Sequence, residues 1–295
     1  MRLERDKSYF EGYSLIAIHE EMIGDTVRTE AYKEAIFASV AGRVVIDVGA
    51  GTGILSLFAA EAGAKHVYAI EASDIVKVCR DQVMSKGLSS KIEIIHAQAE
   101  EVPWLQKTAD VIVSEWIGYF LLFERMLPSV LAIRDTHLKK DGIMIPRRAR
   151  MMIAGVSTET IKYGIDLSNT GLQDIAEISV MPIGQDRLIT QAACLQDLDL
   201  KLIRPDFDSF LSTIDLVVTK EDILTGLVGW FEVEMTFENW LSTAPDKPLT
   251  HWQQVFFPLP GSKAVRIGDK LRVQFDYSPA PEDHRGMLVE LALSF

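Results

Sequence analysis

Two cysteines among 295 residues leave no basis for a disulfide framework. Cys79 and Cys194 also stand far apart without metal-ligand spacing, so both read as buried thiols and no metal site is expected. No run of about 18 apolar residues occurs, which removes the ordinary membrane-spanning helix. The polar start MRLERDKSYF has no apolar stretch of the signal-peptide kind, so a cytoplasmic or nuclear protein is expected. Basic residues are in the minority: 30 Lys and Arg face 42 Asp and Glu, for a formal net charge of −12. That balance disfavours a general nucleic-acid binder. The acidic excess either attracts a basic partner at long range or serves solubility alone. Internal repeats and low-complexity segments are missing too. What remains is an ordinary soluble composition, 48% hydrophobic and 24% charged, on a chain long enough for two cores.

One stretch organises this chain. In VVIDVGAGTG, Val44 to Gly53, a β-branched run stops abruptly in three alternating glycines, Gly49, Gly51 and Gly53, and helical spacing resumes from Ile54. The run suits a strand buried on both faces of a parallel sheet, and the glycines let backbone approach a ligand beside the free N–H groups of a helix start. The dinucleotide fingerprint is absent, because Ile54 stands beyond strictly alternating glycines. The next strand, His66 to Ile70, ends in Glu71, about 20 residues beyond the first glycine, where a doubly wound fold places a ribose acceptor. Nucleoside binding is therefore expected and NAD is not.

Before this stretch, residues 1–40 read as helices that cover the ligand, with Tyr9 and Tyr13 at i, i+4 and a stripe of Ala31, Ala35, Ile36 and Val40. His19, Met22 and Arg28 lie among them, and Arg28 can clamp a carboxylate by paired hydrogen bonds or be merely structural. After it, strands and helices alternate to Pro146, the grammar of right-handed βαβ units. Ser73 or Asp74 is expected to cap a helix reaching Lys86, with Gly87 as its stop. A third strand, Lys91 to His96, leads to Ala99, Glu100 and Glu101. Glu100 there can accept from an adenine amino group or lie idle in solvent.

The fourth strand, Ala109 to Ser114, delivers Glu115 to the crevice where open α/β sheets bind ligands, and Glu124 follows across a loop. Two carboxylates brought to one point are costly unless a cation sits between them; the bland alternative is two unrelated surface glutamates. Beyond Pro146 alternation of period two takes over, as in Phe231, Val233, Met235 and Phe237, in Val273, Phe275 and Tyr277, and in Val289, Leu291, Leu293 and Phe295. This reads as an antiparallel, barrel-like domain whose strands are separated by turns at Pro245, Pro248, Pro258, Pro260, Pro279 and Pro281.

Taken in order, YFEGY with HEEMIGDTVRT, VIDVGAGTGILS, VYAIEAS, AEEV, SEWIGYFLLFERML and THW resemble the sequence blocks of the protein arginine methyltransferases, over nearly the whole chain. The resemblance implies an α/β Rossmann-like domain with N-terminal helices followed by an antiparallel β-barrel domain. The divisions expected are 1–40 over the cofactor, 41–146 binding it, and 147–295 for substrate, with a short dimerisation arm near 156–170. It implies S-adenosylmethionine as cofactor, with Arg28 on its carboxylate, the glycine loop on its backbone, Glu71 on its ribose and Glu100 on its adenine. His19, Met22, Asp47, Ala99 and Met126 are implied beside it.

It further implies Glu115 and Glu124 as the pair that grips an arginine guanidinium, with His251 and Asp25 as a proton relay. Tyr9, Tyr13 and Trp252 would wall the arginine channel, and Met22 and Met126 would shape the methyl-acceptor pocket, as in members that place both methyls on one nitrogen. Substrates would be basic protein segments such as histone or Arg/Gly-rich tails, and the enzyme a homodimer. One departure is visible: GVSTETIKYGIDLSN stands where the family carries a longer aromatic arm, and neither end suggests a separate recruiting module. Two other readings stay open, a small-molecule methyltransferase with the same cofactor and a silent cofactor-binding subunit.

Overall fold

In the computed structural model, residues 9–102, 108–158, 161–162, 165–166, 178–207, 209–281, 283 and 285–295 are described. Residues 9–12 form a helical turn, followed by α1 (Ile16–Gly24) and α2 (Thr26–Ser39). Helix α2 starts at Thr26, five residues before Ala31, because the Asp25 side chain caps it, accepting from the Arg28 N–H at 3.0 Å. It buries Tyr32, Ala35 and Ile36 against the domain that follows.

Strands β1 (Val44–Val48), β2 (His66–Glu71), β3 (Ile92–His96), β4 (Ala109–Val113) and β5 (Leu138–Ile145) form one parallel sheet in the order β3-β2-β1-β4-β5. Helices α3 (Ile54–Glu61), α4 (Val76–Ser85) and α5 (Leu127–His137) connect them. Chain order reverses beside β1, so the crevice between the carboxyl ends of β1 and β4 is the natural ligand site. Helix α4 departs from expectation at its start: Ile75 is its N-cap without any side-chain bond, because Ser73 and Asp74 belong to the preceding turn. Its end follows expectation, with Gly87 left-handed at φ +68°.

From β6 (Arg148–Val156) onward all pairing is antiparallel. After two short paired strands, β7 (Ile161–Lys162) and β8 (Ile165–Asp166), come β9 (Ser179–Met181), β10 (Ala193–Asp199), β11 (Phe210–Val217), β12 (Asp222–Thr236), β13 (Asn239–Ser242), β14 (Gln254–Val265), β15 (Lys270–Pro279) and β16 (Met287–Ser294). One sheet runs β10-β6-β12-β14-β9 with β13 on β12, a second runs β11-β15-β16, and both close over one core. The expected arm near 156–170 lies outside the described residues except for its first three positions and the backbone of β7 and β8.

Three sequence expectations change. Pro258 and Pro260 lie inside β14 rather than in a turn, because the β12–β14 ladder breaks its register there: Pro258 faces Gly226, and pairing resumes only at Lys263. Phe237 and Phe295 are exposed, since each falls past the end of its strand. Cys194 is exposed, not buried, on β10, whereas Cys79 is buried beneath the glycine loop as expected. Among the described residues no helix is long and apolar enough to cross a membrane.

The parallel sheet also carries an acid through its core. Asp47 on β1 is fully buried; its Oδ2 accepts from the Ser56 hydroxyl at 2.7 Å, and its Oδ1 has no partner. Burial pushes this carboxyl from an ordinary 3.8 up to about 7, the Ser56 bond only partly countering it. A raised carboxyl leaves stability untouched below its unfolded value and subtracts from it as pH rises through the folded value. Replacing Asp47 with Asn should therefore grow more favourable relative to the parent between about pH 4 and about pH 8, by on the order of 4 kcal/mol. Urea melts of both proteins across that range measure the gap, and a gap that stays flat contradicts the assignment.

Candidate active site

A cavity of about 900 Å³ opens over the carboxyl ends of β1, β2 and β4 and is roofed by the turn at 9–12 and helix α1. Its floor is the loop after β1. The N–H groups of Gly49 and Ala50 both donate to the Ile70 carbonyl at 2.9 Å, which pins this loop to β2. Gly49 is left-handed at φ +72°, and a Cβ there would lie 2.4 Å from the Met126 methyl. Gly51, at φ +57°, leaves room for the His19 ring, whose Nε2 is 2.8 Å from the Tyr13 carbonyl. Met126 and His19 thus bracket the loop from opposite elements.

Glu71 ends β2 with both oxygens directed inward. Its Oε2 accepts from the Gly51 N–H at 2.8 Å and its Oε1 from the Ser73 N–H at 2.6 Å, so the carboxylate faces the cavity already aimed. Ala99 and Glu100 line the far wall, where the Ser129 hydroxyl donates to Glu100 at 2.5 Å. Arg28 is buried on the near wall. Its Nη1 donates to the Met22 carbonyl at 3.1 Å, while Nε and Nη2 donate to Glu115 Oε2 at 3.2 and 2.9 Å.

Glu115 follows β4, and a second anchor fixes it: its Oε1 accepts from the Ile117 N–H at 3.0 Å. Glu124 lies across the same loop, where the Tyr13 hydroxyl donates to its Oε2 at 2.5 Å. Burial pushes the Glu124 carboxyl up, and the charge of Glu115 adds to that, against the Tyr13 bond and the positive charge of Arg285. The loop that carries the two glutamates is strained, with Phe120, Leu121, Glu124 and the following Arg125 all at positive φ. The Phe120 ring pays part of that strain by packing on Phe257 and Phe275 in the barrel, in a space that a Cβ at Gly229 would fill at 2.4 Å.

The third component comes from residues 250–253. The His251 Nδ1 lies 2.7 Å from Asp25 Oδ2, and the His251 N–H donates to the same oxygen at 2.9 Å. Burial would raise the Asp25 carboxyl; the His251 contact and the Arg28 and His251 N–H groups outweigh it and hold the carboxyl below its ordinary value. Trp252 is buried, and its indole N–H donates to the Ile117 carbonyl at 2.9 Å. The barrel therefore grips both the glutamate loop and helix α2.

Of the residues singled out from sequence, Tyr9, Tyr13, His19, Met22, Arg28, Gly49, Gly51, Glu71, Ala99, Glu100, Glu115, Glu124, Met126, His251 and Trp252 line this one cavity. Asp47 and Gly53 do not: the first lies under the loop, and the second backs onto the Cys79 sulfur. Asp25 lies behind His251 rather than on the cavity wall. Sequence reasoning missed Tyr32, whose hydroxyl donates to the Ser114 carbonyl at 3.1 Å and whose ring lies 5.9 Å from the Arg28 guanidinium. Its position four residues after Arg28 on the same helix face was the available signal. Arg285, which also lines the cavity, gave no signal in its local sequence.

Comparison with known proteins gives the family of this chain. Residues 45–142 match the family model of the methyltransferase domain, and residues 147–295 that of the arginine methyltransferase oligomerization subdomain. The chain is 35% identical to protein arginine N-methyltransferase 1 of Schizosaccharomyces pombe, covering 97% of this chain and 89% of that protein. It is 34% identical to protein arginine N-methyltransferase 1.1 of Arabidopsis thaliana, over 97% of this chain and 77% of that one. Its fold matches a Trypanosoma brucei PRMT1 enzyme–prozyme heterotetrameric complex with AdoHcy at a TM-score of 0.87 and 32% identity, over 96% and 94% of the two chains. By extent and identity alike, the chain belongs to the protein arginine methyltransferase family.

Proposed function

We propose that this chain transfers methyl groups from S-adenosylmethionine to the guanidinium nitrogens of arginine in basic protein segments, giving monomethyl- and then asymmetric dimethylarginine. The observation that carries this is the pair of carboxylates, Glu115 and Glu124, held on one strained loop and facing one cavity. Arg28 already pairs with one oxygen of Glu115, and a second acid brought to the same partly buried site calls for a further delocalised cation.

The residues present fit the cofactor. Arg28 offers a buried cation for a carboxylate, Glu71 an aimed acceptor for ribose hydroxyls, Glu100 an acceptor for an amino group, and the loop at Gly49 and Gly51 a surface stripped of Cβ atoms. His19, Met22, Ala99 and Met126 complete that wall. When bound, S-adenosylmethionine supplies an electrophilic methyl group on a sulfonium sulfur.

A guanidinium is a poor nucleophile, because its charge is spread over three nitrogens and its pKa lies above about 12. Glu115 and Glu124 localise that charge on the nitrogens they contact, leaving the remaining nitrogen's lone pair for in-line attack. Tyr9, Tyr13 and Trp252 wall the channel, and Met22 and Met126 limit the space around the acceptor nitrogen. The bound cofactor would supply the methyl group, leaving the electron pair of its methyl–sulfur bond on sulfur, and Glu124 or His251 would take the proton released from the methylated nitrogen. Asp25 holds His251 for that task. The N-terminal helices cover the cofactor, the parallel sheet binds it and the barrel receives the protein substrate. With the oligomerization subdomain over 147–295, the assembly proposed is a head-to-tail homodimer whose two sites are equivalent, inside the cytoplasm or nucleus.

Incubation with labelled cofactor and an arginine-rich peptide, beside its lysine-substituted control, tests the reading: label should enter only the first. Glu115→Gln and Glu124→Gln should each lower single-turnover methylation by ~100- to 1000-fold, on the order of 3–4 kcal/mol, with cofactor affinity retained in Glu124→Gln, which leaves the Arg28–Glu115 pair intact. Glu71→Ala should instead weaken cofactor binding in calorimetry. Near-parental rates in both glutamine variants would sink the two-carboxylate mechanism. Fragmentation of the methylated peptide should give the neutral loss of the asymmetric isomer; predominance of the symmetric one refutes the product assignment. Sedimentation equilibrium should find a dimer in the active fraction, and a fully active monomer at every concentration ends the assembly proposal.

A further inference from the structure

Glu124 sits at φ +70°, and Phe120, Leu121 and Arg125 of the same loop are also left-handed. Each such residue costs on the order of 1 kcal/mol or more, so the loop keeps its shape only if other elements hold it. At Glu124 one residue holds the backbone from both sides. The Glu124 N–H donates to the Arg285 carbonyl at 3.1 Å, and the Arg285 Nη1 donates to the Glu124 carbonyl at 3.1 Å. The same guanidinium lies 4.1 Å from the centroid of the Tyr9 ring, in stacking range. Arg285 belongs to the connection between β15 and β16, far in sequence from every motif of the site.

We propose that Arg285 is a positioning residue for methyl transfer: it clamps the Glu124 peptide in its left-handed turn, ties it to Tyr9 of the N-terminal turn, and sets a fixed positive charge beside the Glu124 carboxylate. This rests on the reading in which Glu124 grips the acceptor guanidinium. A second cation beside a site built for a cation opposes substrate binding by simple charge, so its presence there calls for a gain elsewhere. Aiming Glu124 and keeping it ionised is that gain.

The charged and titratable groups facing the Glu124 carboxyl are Tyr9 and Tyr13 from the N-terminal segment, Glu115 and Tyr119 from the same loop, and Arg285 from the last hairpin. Burial and Glu115 push that carboxyl up; Tyr13, Arg285 and Tyr9 pull it down. Without Arg285 it rises further, so the acid side of the rate profile, where Glu124 takes up a proton, moves to higher pH.

The test compares Arg285→Met, Arg285→Lys and Glu124→Gln in the full chain. It measures kcat and peptide KM across pH with an arginine-rich peptide, cofactor affinity by calorimetry, and thermal unfolding. Arg285→Met should lower kcat roughly 10- to 100-fold, leave cofactor affinity within about twofold, and move the acid limb up by on the order of half a pH unit. Arg285→Lys keeps the charge but not the fork, so it should leave the limb in place and still lose several-fold in kcat. Parental kcat and limb in Arg285→Met, with Glu124→Gln inactive, overturn the inference and leave the two-carboxylate reading standing; near-parental Glu124→Gln overturns that reading itself. A rise in peptide KM alone also overturns the inference, since Arg285 is then a peptide contact. If Arg285→Met does not fold, Arg285→Lys decides: lowered kcat at an unmoved limb supports the clamp, and parental kcat refutes it.

Discussion

Two carboxylates facing one partly buried cavity repel each other, and the rest of the architecture answers that constraint. Each glutamate has its own partners, drawn from different parts of the chain. Glu115 takes the Arg28 guanidinium from α2 and the Ile117 N–H from its own loop. Glu124 takes the Tyr13 hydroxyl from the N-terminal turn, while its peptide is held by Arg285 from the barrel. The parallel sheet supplies the strand end that launches the loop, yet it could not keep the loop's left-handed residues in place by itself. The barrel core does so, by taking Phe120 among Phe257 and Phe275. The partners of the two glutamates are therefore drawn from the N-terminal helices, the parallel-sheet domain and the barrel. This explains why a fold with a complete nucleotide-binding sheet carries 149 further residues of antiparallel structure matched by one family model, 147–295.

Much of this was legible in the chain because its signals are local. β-Branched runs ending in glycine or glutamate mark parallel strands and their ligand edges, and the observed strands β1 to β4 begin and end within a residue or so of those marks. The six ordered blocks supply most of the residues that line the cavity, since a motif fixes which residue types meet even when its contacts are unknown. Errors arose where tertiary context decides. Pro258 and Pro260 look like turn residues, but a break in the β12–β14 ladder accommodates them within a strand. Ser73 and Asp74 look like caps, but the chain turns through them before α4 starts. Asp47 looks like a ligand contact by its motif, yet alternation along β1 sends its side chain under the loop, to Ser56. Arg285 was invisible because its meaning lies in pairing with a residue 161 positions away.

Asp25 shows how helix α2 and the 250–253 segment of the barrel are joined. Its Oδ1 caps α2 at the Arg28 N–H, and its Oδ2 accepts both the His251 N–H and the His251 ring contact. A single carboxylate thus fixes the start of the helix that carries Arg28 and the histidine of the barrel loop. The next residue, Trp252, bonds the Ile117 carbonyl inside the glutamate loop. Any shift of α2 on the parallel sheet must move Arg28, and with it the Arg28–Glu115 ion pair, while Asp25 drags His251 and Trp252 against the other end of that loop. Since charge-assisted contacts of this kind weaken steeply with misalignment, the loop and the helix cannot change position separately. The wall that carries Arg28 and the loop that carries Glu115 are then positioned together.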